Sequence, residues 1–213
     1  MHNFYIFGLQ RSGTNFIETI MQKNFECKKG NNATVWKHSI DVPLEYDESL
    51  KTIVIHKNPY TWVESIAYRT SIDWIDTQTT YDPLEYSKFC TIGKKRKFNV
   101  INLCKTYKHF HDTWLPRADM IIRYEDLLIP EKRDNIISRI HTDLHIPKKY
   151  VVDNTWEIPE KGTISLSRKY DDSREQYYIK GQPEHLNDRI VFAINHTVTP
   201  ELIRDMGYNV LGQ

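Results

Sequence analysis

Cysteine is scarce in this chain: Cys27, Cys90 and Cys104 are the only 3 in 213 residues. The number is odd and no CxxC spacing occurs, so neither a disulfide framework nor a zinc ligand set can be built, and free thiols of a reducing compartment are expected. Charge of one sign is also missing. Lys+Arg 29 against Asp+Glu 28 gives a formal charge of +1, which excludes a broad basic field for coating nucleic acid but leaves room for a local anion pocket. Long apolar runs are absent. No stretch approaches the roughly 20 apolar residues of a membrane-spanning helix. The opening, Met1 to Gly8, lacks the basic start and apolar length of a signal peptide, so a cytoplasmic location is expected. What the chain does have is 39% hydrophobic and 12% aromatic residues, a composition that folds. Its length suits a single domain over 1–213.

Hydrophobic patterning divides the chain into short apolar runs and amphipathic segments. Phe4-Tyr5-Ile6-Phe7 reads as a buried strand that stops at Gly8. Gly8 to Gly13 reads as a turn. The segment after it is a predicted helix, with Phe16, Ile17, Ile20 and Met21 on one face. Ala33-Thr34-Val35-Trp36 is a β-prone run leading into Lys37 and His38. Thr52-Ile53-Val54-Ile55 is the clearest central strand, and Pro59 beyond it fits the first turn of a helix carrying Trp62, Val63, Ile66 and Ala67. Phe98–Trp114 and Arg133–Leu144 are predicted helices on either side of a third strand, Met120-Ile121-Ile122. Residues 70–98, with the basic cluster Lys94 to Lys97, and 159–183 read as loop. Leu186–Ile194 and Pro200–Met206 read as terminal helices, the last capped by Gly207. Alternating strands and helices with fully apolar strands predict an α/β fold, three layers around a central parallel sheet. Ligands of such sheets bind beyond the C-terminal strand ends. Gly8–Asn15, Lys37-His38, Lys57-Asn58 and Arg123-Tyr124 stand at those ends.

Gly8-Leu9-Gln10-Arg11-Ser12-Gly13-Thr14-Asn15 links a strand to a helix. Two glycines five apart let the backbone curl, so that the first helical N–H groups and the side chains of Ser12, Thr14 and Asn15 can face an anion. The spacing is that of GxxxxGK[ST], but Thr14 stands in the lysine position and Asn15 in the Ser/Thr position. An ordinary ATPase or GTPase is therefore disfavoured. The cation of this loop is Arg11.

Gln10-Arg11-Ser12-Gly13-Thr14-Asn15-Phe16 resembles the 5'-phosphosulfate loop of sulfotransferases that use 3'-phosphoadenosine 5'-phosphosulfate (PAPS), approximately PKSGTTW or PRSGTT. Arg11, Ser12, Gly13 and Thr14 match, while Gln10, Asn15 and Phe16 replace the family's proline, second threonine and frequent tryptophan. Ile55-His56-Lys57-Asn58-Pro59, followed by Ser65, resembles the family's 3'-phosphate motif, with Lys57 in place of arginine. Tyr124-Glu125-Asp126-Leu127 resembles YED[LM], and Lys161-Gly162 resembles the RKG clamp, with Glu160 in place of its arginine. The ending Pro200 to Tyr208 is also similar. The resemblance implies a P-loop NTPase-like sulfotransferase fold. It implies that PAPS is held by Arg11, Ser12, Gly13, Thr14, Asn15, Phe16, Lys57, Ser65, Tyr124, Lys161 and Gly162, with no metal required and adenosine 3',5'-bisphosphate as product. The partner would be a small-molecule or glycan acceptor, with no nucleic acid and no membrane span.

Sulfuryl transfer needs a base for the acceptor proton and a cation near the phosphosulfate. His38 is the expected base, since it follows a predicted strand and titrates near neutrality. Arg11 is expected to neutralise the phosphosulfate, with Lys37 either assisting at the sulfuryl group or forming a local ion pair. Glu18 is a competing base. His56 should point away from Lys57, since strand neighbours alternate, and His109 and His111 should face solvent. Arg123 could hold Glu125 or Asp126. Two other readings stand beside this one: an atypical P-loop small-molecule kinase, and a non-catalytic nucleotide-binding or scaffold domain. Convergence of Arg11, Lys57 and Ser65 would favour the sulfotransferase.

Overall fold

A computed structural model describes residues 2–70, 100–149, 156–158, 172–181 and 183–212. Strand β1 (His2–Phe7) leads through the glycine loop into helix α1 (Thr14–Asn24), then the short β2 (Cys27–Lys29). β3 (Lys51–His56) is followed by α2 (Pro59–Thr70). Next come α3 (Val100–Trp114), a 3-10 turn (Leu115–Arg117), β4 (Met120–Arg123), a second 3-10 turn (Tyr124–Leu128) and α4 (Pro130–Leu144). Helices α5 (Asp172–Lys180), α6 (Asp188–Val198) and α7 (Pro200–Asp205) complete the described residues. The predicted loop over 159–183 thus contains a helix.

The strands pair in parallel in the order β2-β1-β3-β4. Both faces are covered. Tyr5, Phe7 and Val54 pack with α2, α3, α6 and α7 in one apolar cluster, where Phe7 stacks on Trp114 with ring centroids 3.6 Å apart. Phe4, Ile6, Ile53, Ile55 and Ile122 pack with α1 and α4 in the other. The period-2 alternation of each strand thus feeds two cores at once, which is why the runs are apolar on consecutive positions. The α/β class, the all-parallel sheet and the three layers agree with the sequence reading. Among the described residues no helix is long and apolar enough to cross a membrane.

One expected strand is absent. Ala33–Trp36 is loop, and the strand beside β1 is Cys27–Lys29. The reason lies in two asparagines that out-compete the ladder for hydrogen bonds. Asn31 Oδ1 accepts the Ile6 N–H at 2.8 Å, and Asn32 Oδ1 accepts the N–H groups of Thr34 and Val35, each at 2.8 Å. The segment still returns to the end of β1, where the Gly8 N–H donates to the Lys37 carbonyl at 3.1 Å. His38 therefore reaches the crevice from a loop, not from a strand end.

The glycine loop depends on its glycines for two separate reasons. A Cβ on Gly8 would stand 2.7 Å from the Ile55 carbonyl oxygen, so side-chain-free backbone is needed where β1 and β3 end together. Gly13 has φ +94, and a Cβ there would stand 2.3 Å from the Tyr124 ring. Gly13→Ala is expected to destabilise the protein by about 1–3 kcal/mol through the left-handed backbone alone, with displacement of Tyr124 adding to it. A thermal melt at or above the wild-type midpoint would show that neither constraint operates.

Candidate functional site

The loop from Gly8 to Gly13 alternates in backbone hand. Arg11 has φ 69 and Gly13 φ 94, with Ser12 between them outside the positive-φ region. Alternation of this kind can turn successive N–H groups to one side, as in anion-binding nests, although the Ser12 N–H is already donated to the Leu9 carbonyl at 3.1 Å. The loop leads directly into α1, whose first N–H groups carry partial positive charge. The loop is braced from α2, where Trp62 Nε1 donates to the Gln10 carbonyl at 2.8 Å. Trp62 has a definite task beyond filling the core.

Within the loop, the side chains do not all turn as expected. Ser12 is buried and its hydroxyl donates to the Leu9 carbonyl at 2.6 Å, bracing the curl from inside. Thr14 is buried at the start of α1. Asn15 is exposed and its Oδ1 accepts from Lys37 Nζ at 2.5 Å. Phe16 is partly buried against the core beneath α1. Any anion-facing capacity of the loop thus rests on its backbone more than on its hydroxyl groups.

Across the crevice, β3 delivers Lys57. Asn58 caps α2, its Oδ1 accepting the Tyr60 N–H at 3.0 Å, with Pro59 in the next position. This turn sets Lys57 under the helix. Lys57 is 2% exposed, and its ammonium donates to Ser65 Oγ at 2.7 Å. It lies 3.7 Å from the centroid of the Tyr178 ring on α5 and 5.4 Å from that of Tyr124. Burial lowers its pKa to about 8 against the favourable charges of Tyr178 and Glu125, and the positive charge of Arg11 lowers it further. Lys57 and Ser65 therefore meet, and Arg11 lies within electrostatic range of Lys57. Ser65 itself donates to the Thr61 carbonyl at 2.6 Å, so its hydroxyl accepts from Lys57.

Tyr124 covers Gly13, and the rest of its motif anchors the strand ends. Glu125 is buried: Oε1 accepts the Asn58 N–H and Oε2 accepts the Tyr208 hydroxyl, both at 2.9 Å. Burial raises its carboxyl against these hydrogen bonds and the charge of Lys57. Asp126 sits 3.9 Å from Arg123 Nε and 2.9 Å from Lys132. Arg123 itself lies over the Tyr208 ring, 4.5 Å from its centroid. His56 does point away from Lys57, toward Tyr208 and His111. The expectation for His111 is overturned: it is 1% exposed, its Nδ1 bonded to the Tyr107 carbonyl, because it lies on the core face of α3. His109 is half-buried and pairs with Asp41. Lys161 and Gly162 lie outside the described residues, as do the basic cluster over 94–97 and Cys90.

His38 Nδ1 lies 2.6 Å from the Gly8 carbonyl oxygen. That oxygen only accepts, so the proton resides on Nδ1 and the lone pair on Nε2. Burial lowers the His38 pKa to about 4, with the Gly8 carbonyl opposing and Lys37 adding to the fall. Lys37 makes the local ion pair: its Nζ is 2.7 Å from Glu18 Oε2, and Lys29 bonds the other carboxylate oxygen. Burial alone would raise the Glu18 carboxyl, but the hydrogen bonds from Lys29 and Lys37 hold it below its ordinary range. A carboxylate so engaged is a poor base.

Sequence reasoning missed Glu64, read Trp62 only as a core or cleft-wall residue, and offered Tyr178 only as one of five tyrosines that could line an acceptor pocket. Trp62 and Glu64 are spaced from Ser65 on one helix and were legible only as core and polar positions. Tyr178 lies 121 positions after Lys57 in the chain, and only its pairing with that residue gives it a role.

The His38 geometry makes a direct prediction. A group protonated near pH 4 when folded and near 6.5 when unfolded leaves the unfolded chain holding more protons between those values. Its stabilising contribution is complete above about pH 6.5 and is lost as pH falls toward 4. An NMR titration should place the His38 midpoint near 4. A midpoint above 6 would mean the ring is hydrated and not lodged against Gly8.

No protein-family model, no curated protein and no solved structure matches this chain.

Proposed function

We propose that the chain is a PAPS-dependent sulfotransferase of P-loop NTPase-like fold, acting on a hydroxyl or amine of a small-molecule or glycan acceptor. The observation that carries this reading is the second cation site. Lys57 and Ser65 meet at 2.7 Å, within electrostatic reach of Arg11 in the glycine loop. A nucleotide bearing phosphates on both its 5' and 3' sides needs two such sites, whereas a nucleoside di- or triphosphate needs one extended loop with the lysine that Thr14 replaces. The alternating φ of the loop fits a phosphosulfate, and the buried Lys57 fits a 3'-phosphate.

When bound, PAPS supplies an activated sulfuryl group: the acceptor oxygen bonds to sulfur as the bond from sulfur to the phosphate oxygen breaks, leaving adenosine 3',5'-bisphosphate. The protein's part is electrostatic and acid–base. Arg11 and the loop N–H groups face the oxygens on which charge grows. His38 Nε2 accepts the acceptor proton, and the Gly8 carbonyl keeps Nδ1 protonated throughout. Lys37 holds Glu18 as an ion pair and orders Asn15 at the head of α1.

Calorimetry tests the nucleotide. Adenosine 3',5'-bisphosphate should bind well above ADP or AMP and without magnesium. Lys57→Ala should weaken it by about 1.5–3 kcal/mol, the range for a charge-assisted hydrogen bond, and leave AMP unaffected. Affinity should also fall as pH rises through about 8, where Lys57 loses its proton. Equal affinity for ADP and the bisphosphate would sink the reading.

The base is tested separately. His38→Ala should slow turnover by about 10²-fold, the low end for a positioned base, because an imidazole of depressed pKa is a weak proton acceptor. Nucleotide affinity should be near normal. The acid limb of the wild-type profile should lie near pH 4, and a limb near 6.5 would assign it to another group.

A further inference from the structure

The ammonium of Lys57 lies beneath an aromatic cover. Tyr178 and Tyr124 meet edge to face with centroids 5.6 Å apart, and the Tyr178 hydroxyl stands 3.5 Å from Ser65 Oγ. Tyr178 is 6% exposed and Lys57 2%. With Lys57 2% exposed and the Tyr178 ring centroid 3.7 Å from its Nζ, an anion the size of phosphate reaches the ammonium only if this cover moves.

A carboxylate ties helix α5, which carries Tyr178, to α2. Glu64 on α2 accepts from the Tyr177 hydroxyl, from the His185 N–H at 2.6 Å and from the Glu184 N–H at 3.4 Å. Those donors lie on either side of Gly181, which ends α5 with φ +63 and packs so close to Asn58 that a Cβ would stand 2.9 Å from its amide nitrogen. Helix α5 is thus latched to the same helix that bears Ser65, and its end rests on the residue after Lys57.

We propose that Tyr178 is a specificity-determining gate of the Lys57 subsite: its ring competes with the incoming anion for the ammonium, and Glu64 latches it in place. This rests on the nucleotide reading above for the identity of the anion, a phosphate monoester, but the gate itself is a property of Lys57, Tyr178 and Glu64. Because a ring face attracts an ammonium less strongly than a doubly charged phosphate does, the phosphate displaces it while weakly interacting anions do not. The site thereby selects for a 3'-phosphate and keeps Lys57 covered without one.

Carbamylation by cyanate at pH 7.5, read residue by residue by mass spectrometry, tests the gate without an enzyme assay. In the wild type Lys57 should react far more slowly than Lys132, whose side chain is 53% exposed. Tyr178→Leu and Glu64→Ala should each accelerate Lys57 at least tenfold. With a pKa of about 8, complete deprotonation alone would give only about fourfold, so a larger gain reports uncovering. Tyr178→Phe keeps the ring and should behave as wild type. Cys104 is 0% exposed, and its protection from a thiol reagent confirms that each variant is folded. Adenosine 3',5'-bisphosphate should protect Lys57 in Tyr178→Leu. Acceleration without that protection supports the gate and rejects the nucleotide. Unchanged Lys57 reactivity in Tyr178→Leu with Cys104 protected, or fast reaction in the wild type, overturns the gate.

Discussion

A buried positive charge governs the arrangement of this protein's crevice. Moving an ammonium out of water is penalised by several kcal/mol even after the surroundings relax, so Lys57 is tolerated only because its neighbours replace water. Ser65 accepts from it, the faces of Tyr178 and Tyr124 lie against it, and Glu125 supplies opposing charge. These groups come from three separate elements. Satisfying one side chain therefore fixes the positions of α2, α5 and the turn after β4 relative to the end of β3.

Glu125 extends that constraint to the chain's far end. By accepting from the Asn58 N–H and the Tyr208 hydroxyl, it ties the turn into α2 to the segment that follows α7. Tyr107 on α3 adds a third tie by donating to the Lys57 carbonyl at 2.6 Å. The backbone around Lys57 is thus bonded from both directions.

The glycine loop is governed by a steric rule. Its conformation is closed at one end by the contact of β1 with β3 at Gly8 and at the other by Tyr124 against Gly13. Trp62 bonds the middle at Gln10. Tyr124 therefore serves both the loop and the Lys57 cover, and the two share a wall.

Much of this was legible in the sequence. Consecutive apolar positions in Phe4–Phe7 and Ile53–Ile55 can be satisfied only by a sheet with two covered faces, and so they determined the α/β class and the parallel pairing. Two glycines flanking Arg11 between a strand and a helix determined the loop. Lys57, Asn58, Pro59 and Ser65 at their spacing determined that a cation and a hydroxyl share the first turns of one helix. These signals are local, and backbone geometry over a few residues is enough to express them.

Tertiary structure alone decided the rest, because the deciding interactions join residues far apart in the chain. Asn31 bonding to Ile6 turned a β-prone run into loop and brought His38 in from the side. The core face of α3 buried His111, since helical phase relative to the sheet is set by packing. Glu18 was an open acid in the sequence and became an engaged one between Lys29 and Lys37. Tyr178 was one tyrosine among many until the fold laid its ring over Lys57: composition determines that such groups exist, and only three-dimensional proximity determines which charge each of them meets.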